Sequence, residues 1–202
     1  LPGWAEGENC LVICSSHSGN TEETNSIFSQ AINRKCTCVA ITTGGILHST
    51  AVREGKTVWQ FTHDGQPREA VGWSFGLLLS LFSRLSLIQN KDQEVLGAVS
   101  AMKDFAKKIG AEIPAANNPA KRLAGQLIDQ YISVFGAEHL SPVARRWKTQ
   151  INELAKAWGQ FEFLPEADHN TLAGVENPAD LLLKIFTVFL KSNHFHPRNL
   201  IR

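Results

Sequence analysis

The apolar run Cys10-Leu11-Val12-Ile13-Cys14 leads into Ser16-His17-Ser18-Gly19-Asn20-Thr21-Glu22-Glu23-Thr24. Nothing else in the chain restricts its fold as strongly. A short continuous apolar run reads as a buried strand. The hydroxyl-rich stretch after it reads as a loop that enters a helix. The free backbone N–H groups at such a helix N-terminus, joined by the hydroxyls of Ser16, Ser18 and Thr21, make a site for a phosphate. The loop has no Lys of the Walker type, and no metal-binding carboxylate precedes it. This pattern favours a small phosphorylated metabolite over a nucleoside triphosphate.

Two other readings stay open at this point. Ser and Thr before a helix are ordinary caps, so Thr21 with Glu22 to Thr24 also fits a capped turn that holds no ligand. Flavodoxins hold their cofactor phosphate with a Ser/Thr-Gly-Asn-Thr loop after the first strand, so an FMN-dependent electron carrier fits as well. The loop alone does not separate these.

Composition narrows the field. The chain's 202 residues suffice for one large or two small domains, and its formal net charge is +1 with acidic and basic residues intermixed. This is neither the basic stripe of a nucleic-acid binder nor the acidic surface of a flavodoxin. Cys10, Cys14, Cys36 and Cys38 lie in strand-like runs without C-x-x-C spacing, which predicts buried, reduced thiols in a cytoplasmic protein and no metal site. The most apolar segment, 73–88, carries Arg84 and several Ser. It is too short and polar for a membrane span and is expected to be a buried helix. Pro2 and Gly3 break any signal-peptide pattern. The first residue is Leu1 and not Met, so a piece of a longer protein is expected.

Strand-like and helical runs alternate, the pattern of an α/β protein with mainly parallel sheet. Strands are expected at 10–14, 37–42, 57–61, 131–135, 161–164 and 181–190. Helices are expected at 21–33, 48–54, 68–88, 93–109, 120–127 and 142–157, with a short helix or turn at 169–175. The stretch 111–119, with two prolines and paired asparagines, reads as a linker. Two α/β units, 1–112 and 113–202, follow.

The second unit holds a second group of candidates. Arg145, Arg146, Lys148, Glu153 and Lys156 share one amphipathic helix. Glu153 lies toward its partially negative C-terminal end, an environment in which a carboxylate can be suited to general-base work. An ion pair one turn away is the plainer expectation for such a glutamate. His169, in Leu164-Pro165-Glu166-Ala167-Asp168-His169-Asn170, is either a proton carrier or a polar turn residue. His194 and His196 have no carboxylate or Cys nearby in sequence and read as solvated.

With these motifs in place, the chain resembles the sugar isomerase (SIS) domain family, and within it the bifunctional phosphoglucose/phosphomannose isomerases. The stretches that carry the resemblance are 16–24, Thr43-Gly44-Gly45, Gln66-Pro67-Arg68-Glu69-Ala70, 142–156, 164–170 and His196-Pro197-Arg198-Asn199, in family order over nearly the whole chain. The Ser-Gly-Asn-Thr loop is a weak signal. Arg-Arg-Trp-Lys-Thr-Gln-Ile-Asn-Glu followed by Leu-Pro-Glu and His-Asn is a strong one.

The resemblance implies two SIS-like subdomains, each a mainly parallel sheet flanked by helices. It also implies aldose–ketose isomerisation of a hexose 6-phosphate, with no cofactor, no nucleic-acid partner and no membrane. By motif, Ser16, Ser18 and Thr21 would hold the phosphate, and Glu153 would carry the proton between C1 and C2. His169, donated by the neighbouring subunit of a homodimer, would open the sugar ring. Arg68 would stabilise the enediolate. His17 stands where the family usually has Tyr, and Leu154 where Asn is common. The family's Gly-Gly-Ser loop and its C-terminal helices with a pocket Thr and Lys are not in this sequence. A non-catalytic SIS module that senses a sugar phosphate is the alternative, since a sensor needs the hydroxyl loop but not Glu153 or His169.

Overall fold

The computed structural model describes residues 1–202. Two compact units, Leu1–Asp92 and Gln93–Arg202, each carry a parallel three-stranded sheet flanked by helices. No helix is long and apolar enough to cross a membrane.

In the first unit, β1 (Leu11–Ser15), β2 (Thr37–Thr42) and β3 (Thr57–Gln60) lie in that order, with β2 in the centre. Leu11 pairs with Thr37, and Val39 with Thr57. Each crossover is one short helix, α1 (Glu22–Asn33) and then α2 (Gly45–Arg53). Both helices end in the same way. Lys35 and Gly55 take left-handed backbone, and the N–H groups of Cys36 and Lys56 reach back to the carbonyls of Ala31 and Ala51. This closure satisfies the last helical carbonyls and delivers the chain directly into the next strand.

The two faces of this sheet are covered differently. Phe28 and Ala31 of α1, with Leu47 and Ala51 of α2, pack on the face bearing Val12, Cys14, Cys38 and Ala40. On the opposite face, Leu81 with Leu77 and Leu78 of α3 (Val71–Arg84) packs on Val39, Ile41 and Phe61. The cysteines are unpaired thiols, as expected. Three are buried, while Cys10, at the strand edge, is only half-buried. Burial pushes the Cys14 thiol up to about 11.

The segment 73–88, expected as a buried helix, is helical only as far as Arg84 and is largely exposed. Only Leu81 is enclosed, while Phe75 and Leu87 are 67% and 63% exposed. One stripe of α3 covers the sheet, and its remaining apolar positions face outward.

The second unit begins with α4 (Asp92–Ile109) and α5 (Pro119–Leu127). The stretch 111–119 between them is held by hydrogen bonds. Fully buried Asn118 donates to the Gly110 carbonyl and caps α5 by accepting from the Lys121 N–H. The Lys121 ammonium donates to the carbonyls of Ala111 and Ile113. Its sheet has β4 (Tyr131–Ala137) between β5 (Gly159–Leu164) and β6 (Ile185–Phe189), all parallel. Between β4 and β5, α6 (Ser141–Gln150) lies close on the sheet. A Cβ at Gly136 would overlap the Leu140 carbonyl, and fully buried Ala144 sits beside it.

The last strand is shorter than expected. Residues 181 and 182 belong to a short helix, α7 (Ala179–Leu182), and strand geometry begins only at Ile185. Pro178 precedes that turn and favours helix initiation over extended pairing. The chain ends in α8 (Pro197–Ile201).

Phe28, at 1% exposure, holds α1 against the first sheet. Phe28→Ala is expected to destabilise the first unit by about 3–5 kcal/mol, read by urea unfolding.

Candidate active site

Two glycines that only just clear each other set the geometry around residues 16–24. Gly19 and Gly45 both have φ of +71°. A Cβ on Gly19 would run into the Gly44 carbonyl, and one on Gly45 would meet the Ser18 carbonyl and the Asn20 side chain. Glycine serves here because the left-handed backbone and the close approach both exclude a side chain. The loop after β1 therefore interlocks with the loop after β2, at the C-terminal edge of a parallel sheet, where such folds place ligands.

Hydrogen bonds close the interlock. The His17 carbonyl accepts from the Thr43 N–H at 2.9 Å, from Thr43 Oγ1 at 2.6 Å and from Thr42 Oγ1 at 3.3 Å. Asn20 Oδ1 accepts from the Ile46 N–H, and the Gly19 carbonyl from the Leu47 N–H. The first-turn donors of α2 are thus occupied by the neighbouring loop. In α1 the first intrahelical bond runs from the Asn25 N–H to Thr21, so the N–H groups of Glu22 to Thr24 precede the ladder. Of the two helix starts, α1 is the one left open for an anion.

The three hydroxyls differ. Ser16 is buried; its Oγ accepts from the Gly19 N–H and lies 2.8 Å from Thr21 Oγ1. Ser18 is exposed, and its Oγ accepts from the Asn20 N–H. Thr21 is the N-cap residue of α1, but its side chain makes no capping bond and turns to Ser16. Ser18 and Thr21 face solvent at the open helix end, and Ser16 sets the loop beneath them. Glu22 and Glu23 lie in the same first turn, where they complement the helix dipole.

Arg68 is half-buried in the 3₁₀ turn Pro67–Glu69. Gln66 and Glu69 close this turn as a capping box, each side chain bonded to the other's backbone N–H. Three aromatic contacts tie the segment to the cradle loop. The His17 ring meets Phe61 edge-on at 5.8 Å and His63 at 5.2 Å, and Phe61 stacks on Trp73 at 5.3 Å.

In the second unit, Glu153 lies in Ile151–Ala155, which winds as one π-helical turn beyond α6. Such turns are rare and cluster at functional sites. Lys156 ends it in left-handed backbone, and its ammonium donates to the Glu153 carbonyl at 2.6 Å. The lysine one turn away therefore bonds the main chain and not the carboxylate, and Glu153 is exposed. His169 is exposed and follows the turn Glu166–Asp168. Glu153 precedes β5 and His169 follows it. A six-residue strand of roughly 17 Å separates the two, so one copy of the sheet carries them at opposite edges.

Residues that the sequence reading left without a role also act here. Asn20, Thr42 and Thr43 build the interlock; Asn20 and Thr43 lie in motif stretches, and Thr42 does not. Glu138, just past β4, accepts from the His196 N–H and from Asn199 Nδ2, both at 2.8 Å. His194 and His196 are exposed, as expected, but the His196 main chain does meet a carboxylate, 58 residues away in sequence.

Residues 116–202 match the bacterial phospho-glucose isomerase C-terminal SIS domain. The chain is 37% identical over 203 residues to a bifunctional phosphoglucose/phosphomannose isomerase of Caldicellulosiruptor bescii, covering 100% of this chain and 60% of that protein. A protein of the same name from Aquifex aeolicus is 32% identical over 168 residues, covering 83% of this chain and 48% of that protein. The chain thus spans about half to three-fifths of the length of these relatives. Among solved structures, glucosamine-6-phosphate deaminase from Thermotoga maritima superposes with a TM-score of 0.68 at 16% identity, over 100% of this chain and 58% of that one. That likeness concerns the fold.

Two outcomes are expected. Gly45→Ala places a methyl against the Ser18 carbonyl and strains a left-handed position, so it should destabilise the first unit by about 1–3 kcal/mol in urea unfolding. The backbone donor from His196 and the amide of Asn199 hold the Glu138 carboxyl below its ordinary 4.5. A depressed value in the folded chain stabilises above the unfolded value and is lost as pH falls through the folded one. The His196 amide resonance should therefore shift on acidification below about pH 4.5, and Glu138→Gln should abolish that step.

Proposed function

This chain belongs to the sugar isomerase (SIS) domain family, and we propose that it forms the core of an aldose–ketose isomerase acting on hexose 6-phosphates. Its reaction interconverts glucose 6-phosphate and fructose 6-phosphate, with mannose 6-phosphate as a second aldose to assay. The observation that carries this reading is the cradle, in which two interlocked glycine loops leave one helix N-terminus and the hydroxyls of Ser18 and Thr21 open at the sheet's C-terminal edge.

The chemistry assigned to each group follows from its type. The cradle fixes the phosphate, remote from the reacting carbons, and so supplies orientation; Ser16 acts there through Thr21. His169 transfers the proton that opens the ring. Glu153 takes the proton from C2 of the open aldose and returns it to C1, while the O2 proton passes to O1. The Arg68 guanidinium stabilises the enediolate oxygens in between, a fixed cation at developing negative charge. The exposed Glu153 carboxylate, with Lys156 bonded to the main chain, supports the base role.

The partner arrangement is a homodimer in which His169 comes from the neighbouring copy. The opposite-edge placement of Glu153 and His169 about β5 supports it, because one protomer does not bring the two onto one sugar.

The test is a coupled assay of fructose 6-phosphate conversion with Glu153→Gln alongside. Turnover is expected to fall by about two to four orders of magnitude in the variant, the scale of a lost acid–base group. Undiminished turnover would reject Glu153 as the base. Binding of fructose 6-phosphate without turnover in the unaltered chain would favour a sensing module.

A further inference from the structure

His17 engages its neighbours through both its carbonyl and its ring. Its imidazole makes a separate connection. His17 Nε2 lies 3.0 Å from His63 Nδ1, with the ring planes at 88°. At that distance one nitrogen carries the proton and the other accepts it. The two residues come from different loops, His17 from the one after β1 and His63 from the one after β3. Both rings are half-buried, and buried Phe61, stacked on Trp73, lies against His17.

The position of the pair matters more than its strength. His17 sits between Ser16 and Ser18, and its carbonyl already anchors the loop to Thr42 and Thr43. His63 lies two residues before Gly65, where a Cβ would run into the His63 ring and approach Glu69 Oε2. Glu69 closes the turn that carries Arg68. A continuous chain of contacts therefore runs from the hydroxyl loop through His17 and His63 to the Arg68 turn. The hydrogen bond between the two imidazoles is the polar link in it between side chains of different loops, beside the edge-on contact of the His17 and Phe61 rings.

We propose that His63 is a positioning residue, and that the His17–His63 bond is a strut setting the distance between the phosphate cradle and Arg68. This inference rests on reading the cradle as the phosphate site. A ligand that touches only the cradle does not sense the strut. One that spans from the cradle to Arg68 does, because its two ends need both anchors at a fixed separation. The strut thus distinguishes a phosphorylated sugar from phosphate itself.

The experiment compares the unaltered chain with His63→Leu and His63→Asn by calorimetry, titrating inorganic phosphate and fructose 6-phosphate separately. Asn offers an amide near the place of Nδ1, and Leu keeps the apolar bulk without a hydrogen bond. Leu is expected to weaken fructose 6-phosphate roughly tenfold while leaving inorganic phosphate within about twofold, the scale of one hydrogen bond. Asn is expected to restore most of the loss. Equal weakening of both ligands by Leu would mean general damage to the cradle and overturn the strut, as would unchanged affinity for the sugar phosphate or a failure of Asn to rescue. Binding of neither ligand by the unaltered chain would overturn the cradle reading and the strut's role with it. Amide exchange at Thr43 in the ligand-free Leu variant distinguishes the cases, since the strut leaves the Thr43–His17 bond protected and a collapsed loop does not.

Discussion

The interlock of Gly19 with Gly45 governs what the first unit can do. Two loops at the end of a parallel sheet ordinarily each cap their own helix. Here the loop before α1 supplies the acceptors for the start of α2, through Asn20 Oδ1 and the Gly19 carbonyl. One helix start is thereby neutralised and the other left open. This asymmetry depends on both glycines lacking a Cβ. The hydroxyls come second: they decorate a site that the backbone has already shaped.

Rigidity follows from the same arrangement. The His17 carbonyl takes donors from both threonines, and Gln60 Nε2 donates to the Thr43 carbonyl from the end of β3. All three strands thus bind the loops at one edge, and the core beneath them is closed on both faces of the sheet. Main-chain donors fixed in this way need little reorganisation to meet an anion. The second unit contrasts with it. Its enclosed core is small, centred on Ile132, Val134 and Ala144, and Glu153 and His169 both stand exposed. They flank β5, one before it and one after it.

Most of the fold was readable in the sequence because apolar runs and hydroxyl caps are local signals. The strand at Leu11–Ser15 and the helix at Glu22–Asn33 follow from neighbouring residues alone. Burial was less legible. The 73–88 helix is apolar on nearly every side, so periodicity does not say which stripe meets the sheet, and only Leu81 is enclosed. The last strand begins later than its apolar run because Leu181 and Leu182 suit a helix turn as well as a strand, and Pro178 stands at the start of that turn. The bonds of Asn118 at one connection and of Glu138 at another join residues 8 and 58 positions apart. Only folding reveals such partners.

Within the candidate site, the sequence named side chains, and the structure shows that carbonyls and amides hold them. Ser16 is the clearest case. As a motif residue it reads as a phosphate ligand, yet it is buried, with its oxygen between the Gly19 N–H and the Thr21 hydroxyl. It lies against Thr21, which faces solvent without capping its own helix. His17 behaves similarly. Its carbonyl holds the loop to Thr42 and Thr43, and Nε2 of its ring meets His63 Nδ1 from the loop after β3, so a residue within the hydroxyl stretch joins three loops.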